Sequence, residues 1–193
     1  MRIPLKVQGV TDIATANDTA LLIVTDQQEK KQIALVVNPH LRYEFAIRRG
    51  KYINDKEHSK IAAEHLETAL PETMSAMIKY MTELELAVII VGIFDGEYRA
   101  VLEDQRSGTI FAIRASDGIL LSYADPHIPL YAEESLWERQ SMPYMGTDAK
   151  GISMPLNTLS TDMLKQAMQK CIEEEKYEIA DQLKKELDRR SDN

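Results

Sequence analysis

Apolar and polar residues alternate from Ile3 to Val10, the period of a half-buried β-strand. Leu21 to Val24 and Ile33 to Val37 are short β-branched runs separated by a polar stretch, Asp26 to Lys31, which predicts a hairpin. Asn38-Pro39 then punctuates the chain. Proline suits the first turn of a helix, and a helix is predicted over 40–49. A polar break, Gly50 to Glu57, follows. From His58 to about Leu84 the apolar spacing is helical: Ile61, Leu66 and Ala69, then Met74, Met77, Ile78 and Met81. Pro71 lacks an N–H and clashes with a preceding turn, so two helices meeting near it are expected.

Leu86 to Phe94 is a continuous apolar run rich in β-branched residues, as in a central buried strand. Asp95-Gly96 is a hairpin signal, and Tyr98 to Leu102 is the return strand. Thr109 to Ile113 is a third strand after the Arg106-Ser107-Gly108 turn. Arg114-Ala115-Ser116-Asp117 leads into a helix whose apolar face is Ile119, Leu120 and Tyr123. Ile128 to Tyr131 reads as a short strand, and Pro129 predicts an edge position for it. Glu133 to Arg139 predicts a closing helix. Residues 140–157, with Pro143, Gly146, Gly151 and Pro155, lack periodicity and read as a linker or extended arm. Its Met142, Tyr144, Met145 and Met154 are available to pack on the domain or on a partner subunit.

Helical spacing returns after Ser160 or Thr161, either a suitable N-cap. One stripe is Leu164, Ala167, Met168, Cys171 and Ile172, and a second is Tyr177, Ala180, Leu183 and Leu187, with Glu173 to Lys176 between them. Two short amphipathic helices around a polar turn make an αα-hairpin. Each is too short to be stable alone, so the pair must pack on itself and on something else. The pattern predicts an α+β fold with a mixed, largely antiparallel sheet, helices packed on it, and a C-terminal αα-hairpin. The expected division is 1–139 for the domain, 140–157 for the linker and 158–193 for the hairpin.

Length changes this picture little: 193 residues hold one ordinary domain plus an appendage. The single cysteine, Cys171, rules out a disulfide within the chain and fits a reducing compartment. Pro4 and Lys6 fall where a signal peptide needs an apolar run, and a nine-residue apolar stretch, Leu86 to Phe94, is short of the about 20 residues a bilayer span takes. A cytoplasmic protein with no membrane partner is expected. Charge matters more. A net charge of −8 argues against a high-affinity, sequence-independent nucleic-acid binder, which would neutralise phosphates with Lys and Arg. It leaves room for an enzyme that holds phosphate through a metal ion on carboxylates.

Two segments carry a family likeness. Asp95-Gly96-Glu97-Tyr98-Arg99-Ala100, then Ile113-Arg114-Ala115-Ser116-Asp117-Gly118, then Ile128-Pro129-Leu130-Tyr131, match in order and spacing the pattern of the bifunctional nuclease family, which this chain resembles. Glu174 to Leu187 is similar to the UVR motif, an interaction hairpin of excision-repair proteins. The first resemblance implies cleavage of DNA or RNA, with Mg²⁺ or Mn²⁺ as the metal. The second implies a protein partner held through residues 158–190. The sequence departs from the nuclease pattern in several places: Asn38-Pro39 and Tyr43-Glu44-Phe45-Ala46 lie where it has a Gly and a Glu-Ala pair, Leu70-Pro71-Glu72 aligns with a Thr-His-Asp element and so lacks its His, and Ala115 replaces a Pro. The competing expectation is an adaptor without catalysis, acting through the hairpin. The apolar hairpin and Met-rich arm imply a homo-oligomer under either reading.

The candidate catalytic residues are Arg114, Ser116, Asp117, Asp95 and Glu72, with Asp117 and Asp95 as metal ligands. Arg114 would hold a phosphate, Asp117 a hard cation, and Ser116 would orient either. Each also has a purely structural reading. Ser116 is a suitable N-cap and Asp117 a first-turn anion. Asp95 is a turn residue, and Glu72 a first-turn helix residue. His40, His58, His65 and His127 complete no recognisable metal-ligand spacing. The hairpin carries nine acidic and seven basic side chains from Ser160 on, which suits protein contact better than DNA contact.

Overall fold

Eight strands of the computed structural model form one sheet: β1 (Arg2–Asp12), β2 (Ala20–Asp26), β3 (Lys31–Val37), β4 (Leu86–Phe94), β5 (Glu97–Asp104), β6 (Ile110–Arg114), β7 (Leu130–Glu133) and β8 (Met142–Pro143). The helices are α1 (Pro39–Arg48), α2 (Lys56–Thr68), α3 (Leu70–Tyr80), α4 (Ala115–Ala124), α5 (Glu134–Gln140), α6 (Thr161–Glu173) and α7 (Tyr177–Ser191), with a 3-10 turn at Leu156–Thr158. The structure describes residues 1–12, 20–50, 56–81, 83–144, 146 and 155–191. Met145, Gly151 and Met154 lie outside them, as do residues 51–55 of the polar break and the His58 side chain.

The strand order is β6-β5-β4-β7-β1-β2-β3-β8, antiparallel throughout except for the β4–β7 pair. This is the α+β, largely antiparallel arrangement that the patterning predicts. β1 joins the two halves of the sheet. Its Arg2 to Pro4 pair with β7 and its Leu5 to Asp12 with β2, across a bulge between Val7 and Gly9. Gly9 has a φ of +118°, which L side chains rarely adopt, so the bulge requires glycine there.

The main core lies between the sheet and helices α1, α4 and α5. Leu22, Val24, Leu35, Val88 and Ile90 from the strands meet Phe45, Ile119, Leu121, Leu136 and Trp137. On the opposite face Leu21, Ile23 and Ala34 form a second cluster with Tyr144 packed on it. Both faces of β2–β3 are therefore buried, which is why these strands read as unbroken apolar runs.

β7 corrects one expectation. Pro129 predicts an edge strand, yet β7 lies inside the sheet between β4 and β1. Pro129 precedes the strand, and only its carbonyl enters the ladder, accepting from Val88 N at 2.9 Å. The missing N–H is never called for. The Met stripe also divides. Met74 and Ile78 pack on the core, whereas Met77 and Met81 sit on the neighbouring, exposed face, and α3 ends at Tyr80 instead of Leu84.

Other local signals hold. Asn38 Oδ1 accepts from Leu41 N at 2.9 Å and caps α1, with Pro39 in its first turn. α2 and α3 meet at Ala69, with Pro71 in the first turn of α3. Ser160 Oγ caps α6 by accepting from Met163 N at 3.2 Å. Leu164, Ala180 and Leu183 are buried in the hairpin, whose turn has Glu175 at φ +57°. The segment read as a linker adds Met142–Pro143 to the sheet beside Lys31 and Gln32, and places its 3-10 turn against β3.

Candidate functional site

The β6 ladder runs to Arg114, and α4 starts at the next residue. Arg114 holds the N-cap position in extended backbone (φ −65°, ψ 136°) without a side-chain cap. Ser116 is therefore inside the helix and not its N-cap, because strand pairing decides where the helix can begin. Asp117 is in the first turn, where its charge faces the positive end of the helix dipole. Gly118 seats this turn on the sheet, since a Cβ there would lie 2.9 Å from Val88 Cγ1. Arg114 and Asp117 are exposed and Ser116 is half-buried. Among the described residues, none of these three side chains has a hydrogen-bonding or ionic partner.

Sequence reading missed Arg99. The β5–β6 register sets it directly opposite Arg114, and both are exposed. Its signal was the period-2 row Glu97, Arg99, Val101 and Glu103, which points away from the core. Like charges facing each other across a ladder are unfavourable. Arg99 is partly compensated, by Glu97 at 3.6 Å and by the Phe94 ring, 5.9 Å from its guanidinium carbon.

Asp95 is engaged elsewhere. With Gly96 it forms the two-residue turn between β4 and β5, both at positive φ (48° and 85°). Its Oδ1 accepts from Thr161 N at 2.7 Å, so it helps cap α6, and that backbone N–H holds its carboxyl below the usual range. Gly96 lies so close that a Cβ would meet the carbonyl oxygens of Thr158 and Leu159 at 2.7 Å. Arg190 closes the same junction by donating to the Leu159 carbonyl at 2.7 Å. Asn157 Nδ2 donates to the buried Tyr98 hydroxyl at 3.1 Å and to Gln140 Oε1 at 2.9 Å. The turn is thus the seat of the C-terminal hairpin.

Glu72 belongs to a different group. Arg48 donates to both its carboxylate oxygens, at 2.8 and 2.6 Å, and to Glu44 Oε2 at 2.7 Å. His65 Nε2 lies 2.6 Å from Glu44 Oε1. Glu44 is 4% exposed. Burial pushes its carboxyl up, but the bonds and charges of Arg48 and His65 overcome this and hold it below the usual range. The cluster ties α1, α2 and α3 together. The sequence hint was the i, i+4 pair Glu44–Arg48. α1 packs over the far end of α4, with the Phe45 ring centroid 5.3 Å from that of Tyr123. Tyr123 is six residues beyond Asp117, about 9 Å along the helix axis.

Asp125 is a further buried carboxylate. Ser75 Oγ donates to it at 2.5 Å and His127 N at 3.0 Å. It lines a cleft of about 380 Å³ with Lys79, Glu85, Gln105 and His127. These bonds fix the α4–β7 turn against α3.

The five candidates thus separate into three places: Arg114, Ser116 and Asp117 at the start of α4, Asp95 under the hairpin, and Glu72 with Arg48. Among the described residues no group of three or more His, Cys, Asp or Glu side chains is placed to hold a metal. No helix among them is long and apolar enough to cross a membrane. No protein-family model matches the chain, and no curated protein matches it.

Proposed function

We propose that the chain acts on the phosphodiester backbone of DNA or RNA at the start of α4, as its resemblance to the bifunctional nucleases implies. The observation that carries this is the Arg99–Arg114 pair, two exposed arginines at directly opposed ladder positions, the second of them the N-cap residue of α4. An anion between them removes their repulsion and gains charge-assisted hydrogen bonds and the helix dipole. In this reading Arg99 and Arg114 grip the phosphate and stabilise charge as it develops. Asp117 takes the proton of the attacking water, the phosphorus–oxygen bond to the leaving sugar breaks as the new one forms, the departing oxygen takes a proton from solvent, and Ser116 positions the phosphate.

The donor set does not fit a two-metal centre. Among the described residues Asp117 is the only acid in the first turn of α4, Asp95 is bonded to Thr161 N and Glu72 to Arg48, whereas such a centre needs several converging acids.

An adaptor is the second reading. It is favoured by the use of Asp95 and Glu72 in structure, and by exposed Ile172, Tyr177 and Ile179 around the hairpin turn, where a protein partner would dock. Cleavage of single- and double-stranded DNA and RNA with Mg²⁺, Mn²⁺ or EDTA separates the two. The nuclease reading expects cleavage abolished in Arg114→Ala and Asp117→Ala with folding intact. Absence of cleavage by the wild type leaves the adaptor. Unchanged cleavage in both variants places the chemistry elsewhere.

A further inference from the structure

The two edges of the sheet differ. β8 is two residues long and contains Pro143, a short and proline-bearing edge of the kind that resists pairing. β6 is five residues, Ile-Phe-Ala-Ile-Arg, with no proline and no lysine. Ile110 is 61% and Phe111 56% exposed. Among the described residues no strand lies beyond it. Its outer backbone groups call for another strand, not for a helix or a small molecule.

We infer that β6 pairs antiparallel with β6 of a second copy of this chain, centred on Ala112. The strand's own geometry selects this occupant and this register. Asp104 N donates to Thr109 O at 2.9 Å, so Thr109, Phe111 and Ile113 turn their backbone groups toward β5. Ile110, Ala112 and Arg114 turn theirs outward, because the direction alternates along an antiparallel strand. A two-fold axis perpendicular to the sheet keeps each face on its own side, so only residues of like parity meet. Centring on Ala112 uses the whole strand.

Ala112 then exchanges two hydrogen bonds with its copy. Arg114 N donates to Ile110 O of the second chain, and reciprocally. The Arg114 carbonyl is already the acceptor at the start of α4. Phe111 falls opposite Ile113 of the second copy, twice, at the closely spaced non-hydrogen-bonded positions where aromatic and β-branched side chains pair best. These residues continue the core face, since Leu102 and Ala100 opposite them on β5 are buried. On the outer face Arg114 comes beside Ile110 of the copy, whose β5 neighbour is Glu103.

The test is the mass of the full chain by light scattering, with Ala112→Cys in a Cys171→Ala background as the register probe. Antiparallel self-pairing sets the two Ala112 Cα atoms about 5.5 Å apart, within disulfide reach. The expected results are a dimeric wild type, a covalent dimer of the Ala112→Cys chain on mild oxidation, and a monomer for Ala112→Pro, which removes an outward N–H. Phe111→Lys repeats the test if Ala112→Pro fails to fold, with the near-UV signal of Trp137 reporting packing. A monomeric wild type, or a dimer that survives both substitutions without forming the Ala112→Cys crosslink, overturns the inference.

Discussion

The buried group around Arg48 and the exposed pair Arg99–Arg114 use the same chemistry to opposite ends. In the first, two carboxylates hold one guanidinium, an imidazole bonds one of those carboxylates, and α1, α2 and α3 are fastened by the result. In the second, two arginines occupy opposed positions of the β5–β6 ladder, and Arg114 has no anionic partner among the described residues. Satisfied charge marks structure in the first region, and the unsatisfied charge of the second is what the proposed function assigns to a phosphate.

Arg48→Ala breaks the first region most severely. It leaves Glu44 and Glu72 without their cation, and removing one partner of a buried pair costs about 3–5 kcal/mol. Urea denaturation followed by Trp137 fluorescence should show a loss of that size. A loss below 1 kcal/mol would mean that water already compensates the carboxylates.

Acid should weaken the same region. The Glu44 carboxyl is held below its ordinary value in the folded chain, so between that lowered value and about 4.3, the usual Glu value, the unfolded chain binds more protons. The stability it contributes is present above that range and is lost as pH falls through the folded value. Asp125 acts in the same direction: burial raises its carboxyl, and the bonds from Ser75 and His127 outweigh this and lower it. A denaturation series from neutral to acid pH should fall less steeply in Glu44→Gln.

Gly96→Val addresses the seat of the hairpin. A Cβ meets two carbonyls at 2.7 Å, at a φ of +85°. The cost is about 1 kcal/mol or more, and amide exchange should quicken in α6 and α7 before it does in β4. Asp95→Ala should do the same more weakly, by removing the acceptor for Thr161 N. If Asp95→Ala instead abolished nuclease activity without changing exchange in the hairpin, Asp95 would be chemical and not structural.

Arg99→Ala and Arg114→Ala should change stability least, within about 0.5 kcal/mol, as surface substitutions away from packed features do. Relief of their mutual repulsion would make either change slightly stabilising.

Much of the fold was legible because its signals are local. Asn38-Pro39, Asp95-Gly96, Ser160 and the two hairpin stripes each act within a few residues. What escaped depends on pairing between distant segments. Pro129 looked like an edge because a sequence does not show which side of a proline the ladder uses. Ser116 looked like a cap because a sequence does not show that β6 runs to Arg114. Arg99 became interesting only when the β5–β6 register placed it opposite Arg114. Asp95 and Glu72 were legible as carboxylates, but not their partners, Thr161 and Arg48, 66 and 24 residues away.

The most direct measurement is the salt dependence of binding to a single-stranded oligonucleotide, in EDTA so that binding is read without cleavage. Each phosphate contact contributes about 0.7 to the slope of log K against log salt on a single strand. Two arginines on one phosphate make one such contact, so Arg99→Ala with Arg114→Ala is expected to lower that slope by about 0.7 while the chain stays folded. An unchanged slope and affinity would contradict it, and would remove the arginine pair from any role in holding a phosphate.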